Sequence, residues 1–94
     1  MKKNKPGALL VRERQKYAKI FSIDVIIRIL STLRENGRLN RTNLAGKTGL
    51  NYKQCVKYIA LLQTIEWVRV VVDRTHYMVI TEHGIEIVEK FQNI

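Results

Sequence analysis

A chain of 94 residues with a net charge of +9, from 17 Lys and Arg against 8 Asp and Glu, holds one domain with a single modest core and no room for a deep enclosed active site as well. The charge favours a polyanionic partner. Nucleic acid comes before anionic membrane, because no apolar run approaches the roughly 20 residues of a spanning helix and the basic start, residues 1–6, precedes no signal-type apolar block. One cysteine, Cys55, excludes an internal disulfide and a thiolate zinc cluster, so apolar packing must hold the fold in what reads as a reducing compartment.

Residues 1–7, MKKNKPG, read as a basic flexible arm interrupted by Pro6 and Gly7. Residues 8–20, ALLVRERQKYAKI, mix strong helix formers with Arg12, Arg14, Lys16 and Lys19 and predict a basic helical extension. Leu10, Tyr17 and Phe21 would form its narrow apolar stripe. The next helix is predicted over residues 22–36, with Ile23, Ile26, Ile27, Leu30 and Leu33 on one face and Val25 and Ile29 widening it. Asn36 and Gly37 end it, and Arg38 and Leu39 form a candidate short strand.

Asn40 is placed to cap a short helix carrying Leu44 and Ala45, which Gly49 can close in a left-handed conformation. Asn51, with Gln54 three residues on, resembles a capping box that opens another helix. Along it Cys55, Ile59 and Leu62 share the inward side, while Lys53, Lys57, Ala60 and Thr64 face out on a cationic surface free of acid. Residues 67–72 are apolar except for Arg69, and residues 77–81 alternate, which predicts a hairpin around Asp73, Arg74 and Thr75. That tip lacks Gly, so its turn type is not legible. Thr81 can cap a final helix, with Ile85, Val88 and Phe91 inward and Ile87 and Ile94 on another side.

Helix, Gly-containing turn, amphipathic helix with a polar outer face, hairpin and closing helix: over residues 21–91 this order resembles the winged helix-turn-helix superfamily. More narrowly it is similar to the small archaeal winged-helix regulators and chromatin proteins. The resemblance implies an α+β fold, a three-helix core with a β-hairpin wing plus N-terminal and C-terminal helices, in a winged-helix domain at residues 21–94. Glu66 is a departure. Winged helices often carry Gly just before the wing, so the end of the second helix is left undefined.

The function the resemblance implies is sequence-specific binding of double-stranded DNA by a transcriptional regulator, with the helix at residues 51–65 in the major groove and the wing at 73–75 on flanking backbone. Lys53 and Lys57 would reach phosphates or guanine edges, and Gln54 can pair bidentately with adenine. Asn51 lies at the same helix start, where capping competes with DNA contact. Tyr52 and Tyr58 offer hydroxyls to phosphate against a competing role in packing, and Arg41 is placed to touch backbone at the preceding helix. Arg74 suits a minor groove or its phosphates. Two alternatives stay open: a chromatin protein coating DNA without sequence preference, and a winged helix used for protein or RNA contact in a transcription complex.

Catalysis is not expected. The acids are scattered without a paired spacing, His76 and His83 have no second ligand nearby, no Gly-rich phosphate loop is present, and Cys55 falls on an inward face. No metal or cofactor is expected either. A protein with these features is expected in the cytoplasm, associated with the nucleoid. Apolar residues in excess of core needs, Leu9, Leu10 and Tyr17 near one end with Ile87, Phe91 and Ile94 near the other, predict a homodimer through the N- and C-terminal helices.

Overall fold

A computed structural model describes residues 21–92. The first helix, α1, spans Ile23–Asn36, with Asp24 in its first turn and Arg34 in its last, each suited to the dipole at its end. Ile26, Ile29, Leu30 and Leu33 form its buried stripe at i, i+3, i+4 and i+7. Two positions differ from expectation. Ile29 is at the centre of the stripe and fully buried, whereas Ile23 is 45% exposed. Helical side chains lean toward the N-terminus, so the first residue projects past the end of the packed surface.

Gly37, at φ 82, ends α1 and donates its N–H to the Leu33 carbonyl at 2.9 Å. The expected strand at Arg38 and Leu39 is reduced to one pair. Leu39 and Met78 exchange both backbone bonds, at 3.2 and 2.8 Å, and both side chains are buried.

Helix α2 spans Arg41–Thr48, and its Asn40 cap accepts from the Asn43 N–H at 2.8 Å. Helix α3 spans Tyr52–Thr64 and opens the same way, Asn51 accepting from the Gln54 N–H at 2.8 Å. The box is only half built. Among the described residues no bond returns from the Gln54 side chain to the Asn51 N–H, which leaves that amide unspent.

Both helices close with paired bonds around a left-handed residue, the arrangement that satisfies terminal carbonyls. After α2 the residue is Gly49 at φ 76, with Gly49 N–H to Gly46 O at 3.4 Å and Leu50 N–H to Ala45 O at 3.1 Å. After α3 it is Glu66 at φ 64, with Glu66 N–H to Gln63 O at 3.1 Å and Trp67 N–H to Leu62 O at 2.9 Å. Glu66 therefore adopts the pose for which glycine is the usual residue, at a cost of roughly 1–2 kcal/mol for an L side chain.

Strands β1, Val68–Asp73, and β2, Thr75–Ile80, pair antiparallel from Val68↔Ile80 to Asp73↔Thr75, with Arg74 alone at the tip at φ 64. Thr81 ties the hairpin to the last helix. Its Oγ1 donates to the Glu66 carbonyl at 2.7 Å and accepts from the Gly84 N–H at 3.1 Å, and its own N–H donates to the Trp67 carbonyl at 3.1 Å. Helix α4 follows over Glu82–Gln92 and packs on α1, with Arg34 and Glu89 paired across the contact at 3.1 Å.

One core holds these elements: Leu30 and Leu33 from α1, Leu44 from α2, Ile59 and Leu62 from α3, Val68 and Met78 from the hairpin, and Val88 from α4. Close docking of buried Gly84 on Trp67 and Ile80 sets the rotation of α4, so Val88 and Ile87 meet the core while Phe91, expected inward, is 44% exposed beyond the last buried turn. The element order and class are those expected. The arm at 1–7, the extension at 8–20 and Ile94 lie outside the described residues.

Candidate nucleic-acid interface

Between Glu35 and Glu66 the chain has no acidic residue, while Arg38, Arg41, Lys47, Lys53 and Lys57 fall within that stretch. Folding gathers part of this charge at two adjoining helix starts. The Cys55 sulfur lies 4.0 Å from the Arg41 carbonyl, bringing the first turn of α2 against the first turns of α3. Asn51, Tyr52, Lys53, Gln54 and Lys57 are all exposed along α3, and Arg41 is half-buried beside it. Lys53 and Lys57, four residues apart, share a helix side, and among the described residues neither is in an ion pair. Gln54 and Lys57 border a groove of about 340 Å³ whose other walls are Phe21, Val25, Leu50 and Tyr58.

Two candidate residues carry structural work. Asn51 spends its side-chain oxygen as the α3 cap. Tyr58 is buried, 7% exposed, with its hydroxyl accepting from the Ser22 N–H at 2.8 Å and its ring edge-on to Phe21 at 5.1 Å. Both the ring and the hydroxyl of Tyr58 are thus engaged within the domain, which favours packing over the phosphate contact also considered for it. Its spacing already carried the signal, since Cys55, Tyr58, Ile59 and Leu62 stand at i, i+3, i+4 and i+7. Tyr52, by contrast, is 54% exposed.

Cys55 is fully buried, and that burial pushes its thiol pKa up, with the nearby Arg41 charge opposing. An inert core thiol fits this position better than a nucleophile. No group of three or more His, Cys, Asp or Glu residues is placed to hold a metal ion among the described residues, and no described helix is long and apolar enough to cross a membrane.

Arg74 belongs to a separate element, exposed at the hairpin tip. Its neighbour Asp73 is engaged by Arg38, which the sequence placed only in a candidate short strand. Arg28 was missed. It donates to the Thr48 carbonyl at 3.0 Å and so ties the end of α2 to α1.

Residues 21–94 match the sequence model of a family described as winged helix-turn-helix. The chain belongs to the winged helix-turn-helix family. Its wing is the β1–β2 hairpin, and α2 and α3 are the helix-turn-helix pair. The winged-helix fold is similar to that of BpsR from Bordetella bronchiseptica, from work on regulation of its DNA binding by 6-hydroxynicotinic acid, at TM-score 0.70 and 20% identity over 96% of this chain and 73% of that chain. The transcriptional regulator Tm0710 from Thermotoga maritima gives TM-score 0.67 and 20% identity over 93% and 70% of the two chains. The Zalpha domain of PKZ from Carassius auratus, in complex with Z-DNA, gives 0.59 and 19% over 63% of this chain and 95% of that domain. Comparison with curated proteins gave no match.

Proposed function

We propose that this winged-helix protein binds double-stranded DNA as a sequence-specific transcriptional regulator, with α3 in the major groove and the wing on flanking backbone. The observation that carries this reading is the exposed, acid-free face of Lys53, Gln54 and Lys57 on the second helix of the helix-turn-helix. Among the described residues the Gln54 side-chain amide makes no hydrogen bond, and only its backbone N–H is used by the cap, which suits it to a base edge. Lys53, Lys57, Arg41 and Arg74 contact phosphate, Tyr52 supplies a peripheral hydroxyl, and Asn51 orients the helix start. The similarity of its fold to BpsR, whose DNA binding is regulated by 6-hydroxynicotinic acid, and to the transcriptional regulator Tm0710 favours the same role.

Fluorescence anisotropy with labelled duplex tests this. Neutralising about four phosphates gives a log–log salt slope near −3.6, so affinity should fall on the order of a hundredfold between about 50 and 200 mM salt. At one fixed salt a selected site should be preferred over random duplex by roughly a thousandfold or more. Gln54→Ala should relax preference at one base pair at a cost of about 1–3 kcal/mol, whereas Arg74→Ala weakens all sequences alike. Unchanged binding by a folded Lys53→Glu, Lys57→Glu double variant would exclude α3 as the docking face.

The protein is further proposed to act as a homodimer through its terminal helices. Exposed Phe91 near the end of α4 supports an apolar contact at that helix. Sedimentation equilibrium at micromolar concentration decides it: a monomer removes the dimer, and a dimer predicts an inverted-repeat site with half-sites about 34–36 Å apart or a multiple of that.

A further inference from the structure

We propose that Arg38 is the positioning residue of the wing, a latch that holds the tip against the α1–α2 connection and so sets where Arg74 is presented. Both terminal nitrogens of Arg38 lie 3.3 Å from Asp73 Oδ2, and its Cζ lies 4.1 Å from the centroid of the Tyr77 ring. The guanidinium thus grips both strands, β1 at its last residue and β2 near its middle. Immediately after it, Leu39 is fixed by its bridge to Met78, so the latch is anchored on backbone that cannot drift.

The tip needs such an anchor. Residues 72–76 are all exposed, so no apolar packing holds the end of the hairpin, and a two-stranded hairpin is marginal without support. Among the described residues, the bond from Arg38 to Asp73 is the one side-chain tie between this tip and the rest of the domain. Charge adds a second argument. An acid beside Arg74, in a chain of net charge +9, opposes a polyanion on Coulombic grounds and also neutralises Arg38. Asp73 is explained if its contribution is geometric. Arginine suits the role better than lysine, because one planar fork can both pair with a carboxylate and stack on a ring.

The consequence for DNA rests on the proposed function, but the latch itself does not. The test therefore has two arms, run on the full chain with Asp73→Asn, Arg38→Lys and Tyr77→Leu, each checked for folding by circular dichroism. In the first arm, without DNA, the backbone order parameter of the Arg74 amide is measured by NMR. It should lie near about 0.85 in the parent and fall toward about 0.6 in the variants. In the second arm, duplex affinity is measured at fixed salt. Asp73→Asn should weaken binding roughly three- to tenfold although it removes a negative charge, and Arg38→Lys should weaken it similarly with an unchanged salt slope. An unchanged order parameter in all three variants overturns the latch, as does tighter binding by Asp73→Asn, the outcome charge alone predicts. A parent that binds no duplex defeats the proposed function while the first arm still decides the latch.

Discussion

Substituting Gly84 by alanine tests the junction on which the wing and α4 depend. A Cβ at this position would be driven into the Trp67 carbonyl oxygen and would stand 2.7 Å from Ile80 Cγ1. Ile80 gives only at a cost, because the obstructing atom stands beside the branch of a stiff side chain and not at its far end. The carbonyl cannot, since it is backbone and accepts the Thr81 N–H. The first turn of α4 must therefore move, which loosens the bond from the Gly84 N–H to Thr81 and with it the Thr81 contact to Glu66. Overpacking costs about 1–3 kcal/mol and loss of a cap about 1, against which the better helix propensity of alanine returns about 1. Net destabilisation should be about 1–3 kcal/mol. Gly46 supplies the internal control: it lies inside α2, is exposed, and nothing stands within 4 Å of its notional Cβ. Gly46→Ala should stabilise by about 0.5–1 kcal/mol. In urea titrations the two midpoints should move in opposite directions with unchanged slopes, and each kcal/mol corresponds to about 4–8 °C in Tm for a domain of this size. A Gly84→Ala midpoint at or above the parent's refutes the reasoning, because it would mean that α4 does not dock on the Trp67 carbonyl.

Other perturbations separate scaffold from surface. Tyr58→Phe leaves the part-buried Ser22 N–H without its acceptor and should cost about 0.5–1.5 kcal/mol by urea denaturation while leaving duplex affinity unchanged; a tenfold loss of affinity at parental stability would return Tyr58 to the interface. Asn40→Ala should cost about 1 kcal/mol through the lost α2 cap, and a cost below a few tenths would contradict the bond to Asn43. The raised thiol pKa of Cys55 gives a pH signature. An acid whose folded pKa lies above its unfolded value of about 8.5 contributes stability that is fully present below that pH and declines as pH rises toward the folded value. Stability should therefore fall through this alkaline window more steeply in the parent than in Cys55→Ala, and parallel curves would sink the assignment.

The helix-turn-helix was legible because its signals are local. Asn40, Gly49 and Asn51 each act on residues three or four positions away, and all three take the predicted roles. The end of α3 was not, because Glu66 occupies a left-handed position without the glycine that would announce it; its conformation is held by Leu62, Gln63 and the distant Thr81. Range also hid Arg38, whose partner in Asp73 is 35 residues away and reaches it only when the hairpin folds back. Of the candidate interface, the exposure of Lys53 and Lys57 was readable from helical period, whereas Gln54 was singled out by its place after the Asn51 cap and its side-chain chemistry. Tyr58 was left between packing and phosphate contact although the same period places it inward, because an aromatic hydroxyl suits both roles until its partner is seen.

The acid-free stretch from Glu35 to Glu66 has its counterpart in α4, which carries Glu82, Glu86 and Glu89 against Lys90 and packs on α1. Acid is thus concentrated on α4 and absent from α2 and α3, an uneven distribution superposed on the net charge. Near a polyanion such an uneven distribution adds a torque to the attraction, which under the proposed function would favour encounters with α2 and α3 foremost. Fewer collisions are then wasted in the wrong orientation. Under the proposed function the same field, being blind to sequence, would hold the domain loosely on a duplex while its short-range contacts sample successive positions.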